Sequence, residues 1–149
     1  MDRRRRRRLL HRYNPARLVH ADMKSRNHDV IVNIIGAAGE RFNYDYITGS
    51  TGNAALMAFT KSLGVRSLHY GVRIVGINPG PVETDRHIYL MKNRARNELG
   101  DENRYGELMK EFPLGRAARP REIADMTVFL ASVRSAYTSG VIVTIDGAR

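Results

Sequence analysis

The chain has no cysteine, which excludes disulfides and thiolate-bound metals and suits a reducing compartment. No apolar run approaches the roughly 20 residues needed to cross a bilayer, so no membrane partner is expected and a cytoplasmic location is. A secretory leader is not expected either. Arg3 to Arg8 are followed only by Leu9 and Leu10 before His11, Arg12, Asn14 and Pro15, leaving no apolar segment to insert. The histidines (His11, His20, His28, His69 and His87) lack ligand spacing, so no metal site is predicted. Internal repeats are absent, and no Gly-x-Gly-x-x-Gly phosphate turn occurs anywhere.

Charge is abundant but uneven. Half of the net charge of +10 sits in residues 1–8, which hold six arginines and one aspartate. An arginine run can bind phosphates or serve as a nuclear address. No aromatic interleaving or folded basic module follows it, so nucleic acid is not an expected partner. Residues 1–15 are read as a disordered basic tail, or as upstream sequence added by a mis-set start. Residues 16–149 are read as one domain, long enough for a real core.

Three branched runs predict strands: Asp29 to Gly36, Val72 to Ile77, and Val141 to Gly147. Between the first two, the spacing of Ala54, Ala55, Leu56, Ala58, Phe59, Leu63 and Leu68 predicts a helix. Ser50 or Thr51 would cap it, and Gly71 would end it. A shorter helix is predicted from about Ala16 to Arg26, and another near Pro120 with Ile123, Ala124, Val128, Phe129 and Leu130. Residues 86–112 are charged and loosely helical, with Tyr89, Leu90, Leu99, Leu108 and Met109 scattered through them, and read as a covering segment over the sheet edge. Asp101, Glu102, Glu107 and Glu111 read as a solvated face. Alternating strands and helices spell an α/β fold: a partial doubly wound, Rossmann-like parallel sheet of three strands with flanking helices. The sequence is expected to begin in the middle of such a fold, with an unpaired edge on its first strand.

The pivotal stretch is Asn78-Pro-Gly-Pro-Val-Glu-Thr-Asp85. Pro79 and Pro81 are expected to stop the sheet ladder, and Gly80 permits backbone that side chains forbid. A strand ending in such a loop marks the carboxyl edge of an α/β sheet, where ligands bind.

With Ile31 to Gly36, this stretch, Pro113-Leu-Gly-Arg116, Pro120 to Ala124, Phe129 to Ser132, Ser139-Gly140 and Asp146-Gly147, the chain resembles the short-chain dehydrogenase/reductase family over roughly residues 16–148. The resemblance implies a nicotinamide cofactor, NAD or NADP, with a small-molecule carbonyl or alcohol as substrate. It implies that Pro79 and Gly80 shape the loop over the nicotinamide. Val82 would offer backbone contacts to its carboxamide, and Thr84 a hydroxyl near carboxamide or phosphate. It also implies a homo-oligomer, built through the helix at 51–70 and the last strand.

The chain departs from that family where catalysis belongs. The family's acid/base is a tyrosine whose phenol is tuned by a lysine four residues on, with a serine thirteen residues earlier. Here those positions fall on Gly49, Asn53 and Gly36. The spacing survives and every functional group is gone, so no catalytic residue is assigned. The family's fourth member, an asparagine, falls near Arg8. None of the tyrosines has a lysine four residues on, and Tyr13, with Arg17, precedes the first strand. A relocated Tyr46/Ser50 chemistry is the alternative, though a phenol without a lysine is a poor base at neutral pH. Two functional readings stand together. One is the C-terminal part of an oxidoreductase domain that is not competent alone, and the other is a non-catalytic cofactor-binding or assembly module.

Overall fold

The structure, a computed structural model, describes residue 15 and residues 18–148. The arginine run, Tyr13 and Arg17 lie outside the described residues. Three parallel strands form one sheet in the order β1 (Asp29–Ile34), β2 (Val72–Pro79), β3 (Ile142–Ile145). Helical residues 18–26 (α1) precede β1. The crossover from β1 to β2 is α2 (Ile47–Ser67). The longer crossover to β3 carries α3 (Asp85–Leu99), α4 (Tyr105–Met109) and α5 (Pro120–Ala131). The partial doubly wound α/β reading therefore holds.

Alternation along β2 explains the layers. Val75 and Ile77 are fully buried and pack with Ile123 and Leu130 of α5, each worth roughly 1.5–3 kcal/mol. The opposite face of β2 meets α2, where Thr60 and Asn78 are also fully buried. A separate small core, made by Met91, Ala95, Leu108, Phe112 and Ala117, orders the stretch expected to be loosely helical. Tyr89 and Leu90 of that stretch face solvent.

Several expectations need correction. β2 runs through Pro79, beyond the predicted end. Gly76 and Gly80 donate toward the β3 side, to Val141 and Ile145, so by alternation the nitrogen of Pro79 faces the β1 side. There β1 has already ended, and the missing N–H costs no ladder bond. α2 begins at Ile47 with no side-chain cap. Ser50 and Thr51 are inside it, and Thr51 Oγ1 donates back to the Ile47 carbonyl at 2.9 Å. The packed face of α2 is Leu56, Met57, Thr60, Gly64 and Ser67, while Ala58 and Leu68 are exposed. Small and hydroxylated residues let the helix lie close, with Thr60 Oγ1 and Ser67 Oγ bonded to their own helix carbonyls. On α5, Ala124, Val128 and Phe129 are exposed. Gly71, with φ 66°, does close the turn that follows α2.

Arg73 ties α5 to the sheet. Its guanidinium is buried and donates to the carbonyls of Leu130 (2.7 Å), Ala131 (3.3 Å), Ser132 (3.0 Å) and Ser135 (3.2 Å), and to Ser135 Oγ. Burial lowers its pKa from the usual arginine value. A cation here also meets the negative end of the helix dipole.

Candidate functional site

The carboxyl edge of the sheet brings three segments together: the end of β1 at Gly36, the start of α2, and the loop from Pro79 to Thr84. Gly36 has φ 132° and ψ 138°, a conformation reserved for glycine. Its carbonyl accepts from Asn53 Nδ2 at 3.3 Å. A β-carbon placed at Gly36 would sit 2.9 Å from that same nitrogen. The strand end and the helix are thus fastened at two of the positions where the resemblance places catalytic groups.

The third position is covered. A β-carbon at Gly49 would collide with the ring of Tyr46, one turn earlier. Tyr46 therefore fills the volume that the glycine leaves open. It does not join Ser50, whose hydroxyl is buried and has no hydrogen-bond partner among the described residues. The i, i+3 spacing of Tyr46 and Gly49 was the available sequence signal for this contact.

The loop after β2 is held from outside. Ala118 donates to the Pro81 carbonyl at 2.9 Å and accepts from Glu83 at 2.8 Å, forming a parallel bridge with Val82. In that pattern the N–H and carbonyl of Val82 itself turn to the opposite side. Thr84 Oγ1 donates to the Val82 carbonyl at 3.4 Å and accepts from His87 at the start of α3 at 3.3 Å. Gly80 lies against β3: a β-carbon there would be 2.7 Å from Asp146 Cβ and 2.9 Å from its Cα.

Two contacts close the edge across the sheet. Thr144 Oγ1 donates to Glu40 at 3.0 Å, and Arg41 pairs with the nearly buried carboxylate of Asp146 at 2.7 Å. Beside them, Pro81, Phe112, Arg116, Glu122 and Asp146 line a cavity of about 230 Å³. Arg116 grips Glu122 at 2.9 and 2.7 Å. This bond and the Arg119 N–H hold the Glu122 carboxyl down at about 2. No sequence pattern signals the roles of Glu122 and Arg73, because spacing alone does not show which carbonyls or cations they reach.

Comparison with known proteins gives this arrangement its class. Residues 13–148 match the family described as Enoyl-(Acyl carrier protein) reductase. The chain belongs to the short-chain dehydrogenase/reductase family. It is 34% identical over 117 residues to a 3-oxoacyl-(acyl carrier protein) reductase of Chlamydia pneumoniae, covering 78% of this chain and 41% of that protein. It is 26% identical over 126 residues to an NADPH-dependent reductase of Bacillus subtilis, covering 84% of this chain and 49% of the relative. Among solved structures, L-sorbose reductase from Gluconobacter frateurii, complexed with NADPH and L-sorbose, superposes with a TM-score of 0.79 at 29% identity. That match covers 89% of this chain and 51% of the other. The chain spans about half the length of the curated relatives it matches. No helix among the described residues is long and apolar enough to cross a membrane.

Proposed function

We propose that the chain is the nicotinamide-side, C-terminal part of a cytoplasmic short-chain oxidoreductase domain. In the whole domain, hydride would pass between NAD or NADP and the carbon of a small carbonyl or alcohol. The observation that carries this reading is Val82, whose backbone donor and acceptor turn away from Ala118 and toward the open side of the loop. A carboxamide needs one acceptor and one donor, so the fit is chemical as well as positional. Pro79 and Gly80 fix the path of that loop against Asp146. Thr84, bonded to Val82 and His87, sets the backbone as well as lending a hydroxyl.

When bound, the cofactor would supply or accept the hydride. What the chain's own residues do is bind and orient. Gly36, Gly49 and Asn53 hold no proton-transferring group, so turnover by this chain alone is not expected. The experiment is a titration of the full chain with NADH and NADPH, followed by amide NMR, with a parallel assay on a panel of carbonyl substrates. Saturable shifts at Gly80 and Val82 without turnover are the expected result. Turnover would restore the Tyr46 chemistry to consideration, and no shift at Val82 would remove the nicotinamide reading.

A second reading, as an assembly module, is favoured by one surface. Val128, Phe129, Val133 and Tyr137 along and beyond α5 are all exposed, and apolar residues left in solvent this close in sequence are what a contact surface would cover. Concentration-dependent dimerisation lost in Val133→Glu would support it.

A further inference from the structure

Among the described residues the sheet ends at β1, with no strand beyond it. In a parallel ladder the N–H and carbonyl of one residue turn to the same neighbour, and those of the next turn away. Ile35 donates to the Ile77 carbonyl at 2.8 Å, so Ile31 and Asn33 also face β2. Val30, Val32 and Ile34 therefore turn their backbone groups outward, a row of donors and acceptors with no strand to meet. The opposite edge offers less. β3 has four residues, and Gly76 and Gly80 bond to Val141 and Ile145, so in β3 only Ile142 and Thr144 turn outward.

Sheet edges are ordinarily blunted by a lysine, a proline or a bulge. Val30 to Ile34 reads Val-Ile-Val-Asn-Ile and pairs with β2 residue for residue, so it carries none of these. The stretch is also complementary to itself. Turned about a two-fold axis at Val32, it sets Val30 of one copy opposite Ile34 of the other, and Val32 opposite Val32. All three lie on one face of the strand, where Val30 and Val32 pack toward Ile123 and Leu130 of α5. Ile34 is 47% exposed, and Val30 of the second copy would cover it. Branched pairs of this kind stabilise antiparallel strands. Asp29, held by Arg26 at 2.7 Å, falls opposite Ile35, so no like charges meet. Pairing β1 with β3 of another copy would leave an edge free on every copy and grow on, whereas the two-fold pairing closes.

We propose that in this chain of 149 residues β1 pairs antiparallel with β1 of a second copy, giving a continuous six-stranded sheet. One strand pair buries little surface, so the dimer is weak and depends on concentration. It uses no residue of the Pro79–Thr84 loop or of the exposed surface along α5. Either of those readings can therefore fail without it.

The test is sedimentation equilibrium of the full chain over a concentration series, with amide hydrogen exchange at both ends of the series. A monomer–dimer equilibrium is expected. Exchange at Val30, Val32 and Ile34 should slow as the dimer forms, while Ile31 and Asn33, already bonded to β2, stay as they are. Val32→Pro deletes an outward N–H and no bond to β2, at a place where an edge strand tolerates proline. It should weaken the dimer about thirtyfold, the worth of the two hydrogen bonds at the axis. Ile34→Lys changes a residue already in solvent, should weaken the dimer as well, and decides the matter if Val32→Pro does not fold. Val133→Glu, on the α5 surface, should leave the dimer unchanged. A chain that stays monomeric would overturn the proposal. So would a dimer in which Val30, Val32 and Ile34 exchange as fast as in the monomer, or one lost in Val133→Glu and kept in Ile34→Lys.

Discussion

Asn53 donates to the carbonyl of Gly36 at 3.3 Å, so an amide joins helix to strand at two of the positions where the family places its lysine and serine. The bond is neutral and partly buried, which puts its worth near 1 kcal/mol. Asn53→Ala should lower stability by about that amount in urea denaturation. An unchanged midpoint would mean that the contact is incidental.

Tyr46 and Gly49 should be energetically coupled. Alanine ordinarily stabilises a helix interior over glycine by about 1 kcal/mol. At Gly49 the added carbon would enter the Tyr46 ring, so Gly49→Ala should destabilise by about 1–2 kcal/mol through overpacking. In a Tyr46→Ala background the same change should stabilise the chain. A double-mutant cycle reads the difference, and equal effects in both backgrounds would rule out the filled volume.

Arg73→Met should be the most damaging single change of this set. It removes the donor for the Leu130, Ala131, Ser132 and Ser135 carbonyls at one stroke. Bonds to a charged donor contribute more than neutral ones, and a loss of about 3 kcal/mol is expected. Hydrogen exchange should show the end of α5 opening before the sheet does.

Gly80→Ala should separate β2 from β3 locally. The new carbon would lie 2.9 Å from the Asp146 backbone, which cannot swing aside as a side chain can. Loss of about 1–3 kcal/mol is expected from overpacking. NMR shifts should spread to Asp146 and Arg41.

Acid should loosen the Arg116–Glu122 contact. The folded-state pKa of Glu122 is held at about 2, below the usual 4.5, so between those values the unfolded chain binds more protons than the folded one. Its stabilising effect is therefore whole above about 4.5 and fades as pH falls toward 2. Glu122→Gln should flatten the stability–pH curve across that window. An unaltered curve would mean that solvent screens the pair.

Much of the fold was legible because branched runs such as Val30 to Val32 and Val72 to Ile77 suit only strands buried between helices. The helix faces were harder. On α2, Thr60 and Ser67 are buried, whereas a hydrophobicity pattern favours Ala58 and Leu68. Close packing selects size before polarity when a hydroxyl can bond its own helix. The site was half legible. The family resemblance pointed to Gly36, Gly49 and Asn53, and only coordinates reveal that Tyr46 closes over one of them and that Asn53 binds another.

Among the described residues every strand pairing is parallel, and the register matches Asp29 with Val72 and Gly76 with Ile142. No pair of strands can therefore meet until a whole helical crossover has been made. Such distant pairings slow folding to the millisecond–second range typical of high contact order. α2, whose backbone bonds are local, should appear first and wait for the sheet. During that wait the strand residues Val75 and Ile77, fully buried once the sheet forms, are still exposed, which makes the early chain more prone to self-association than the finished one.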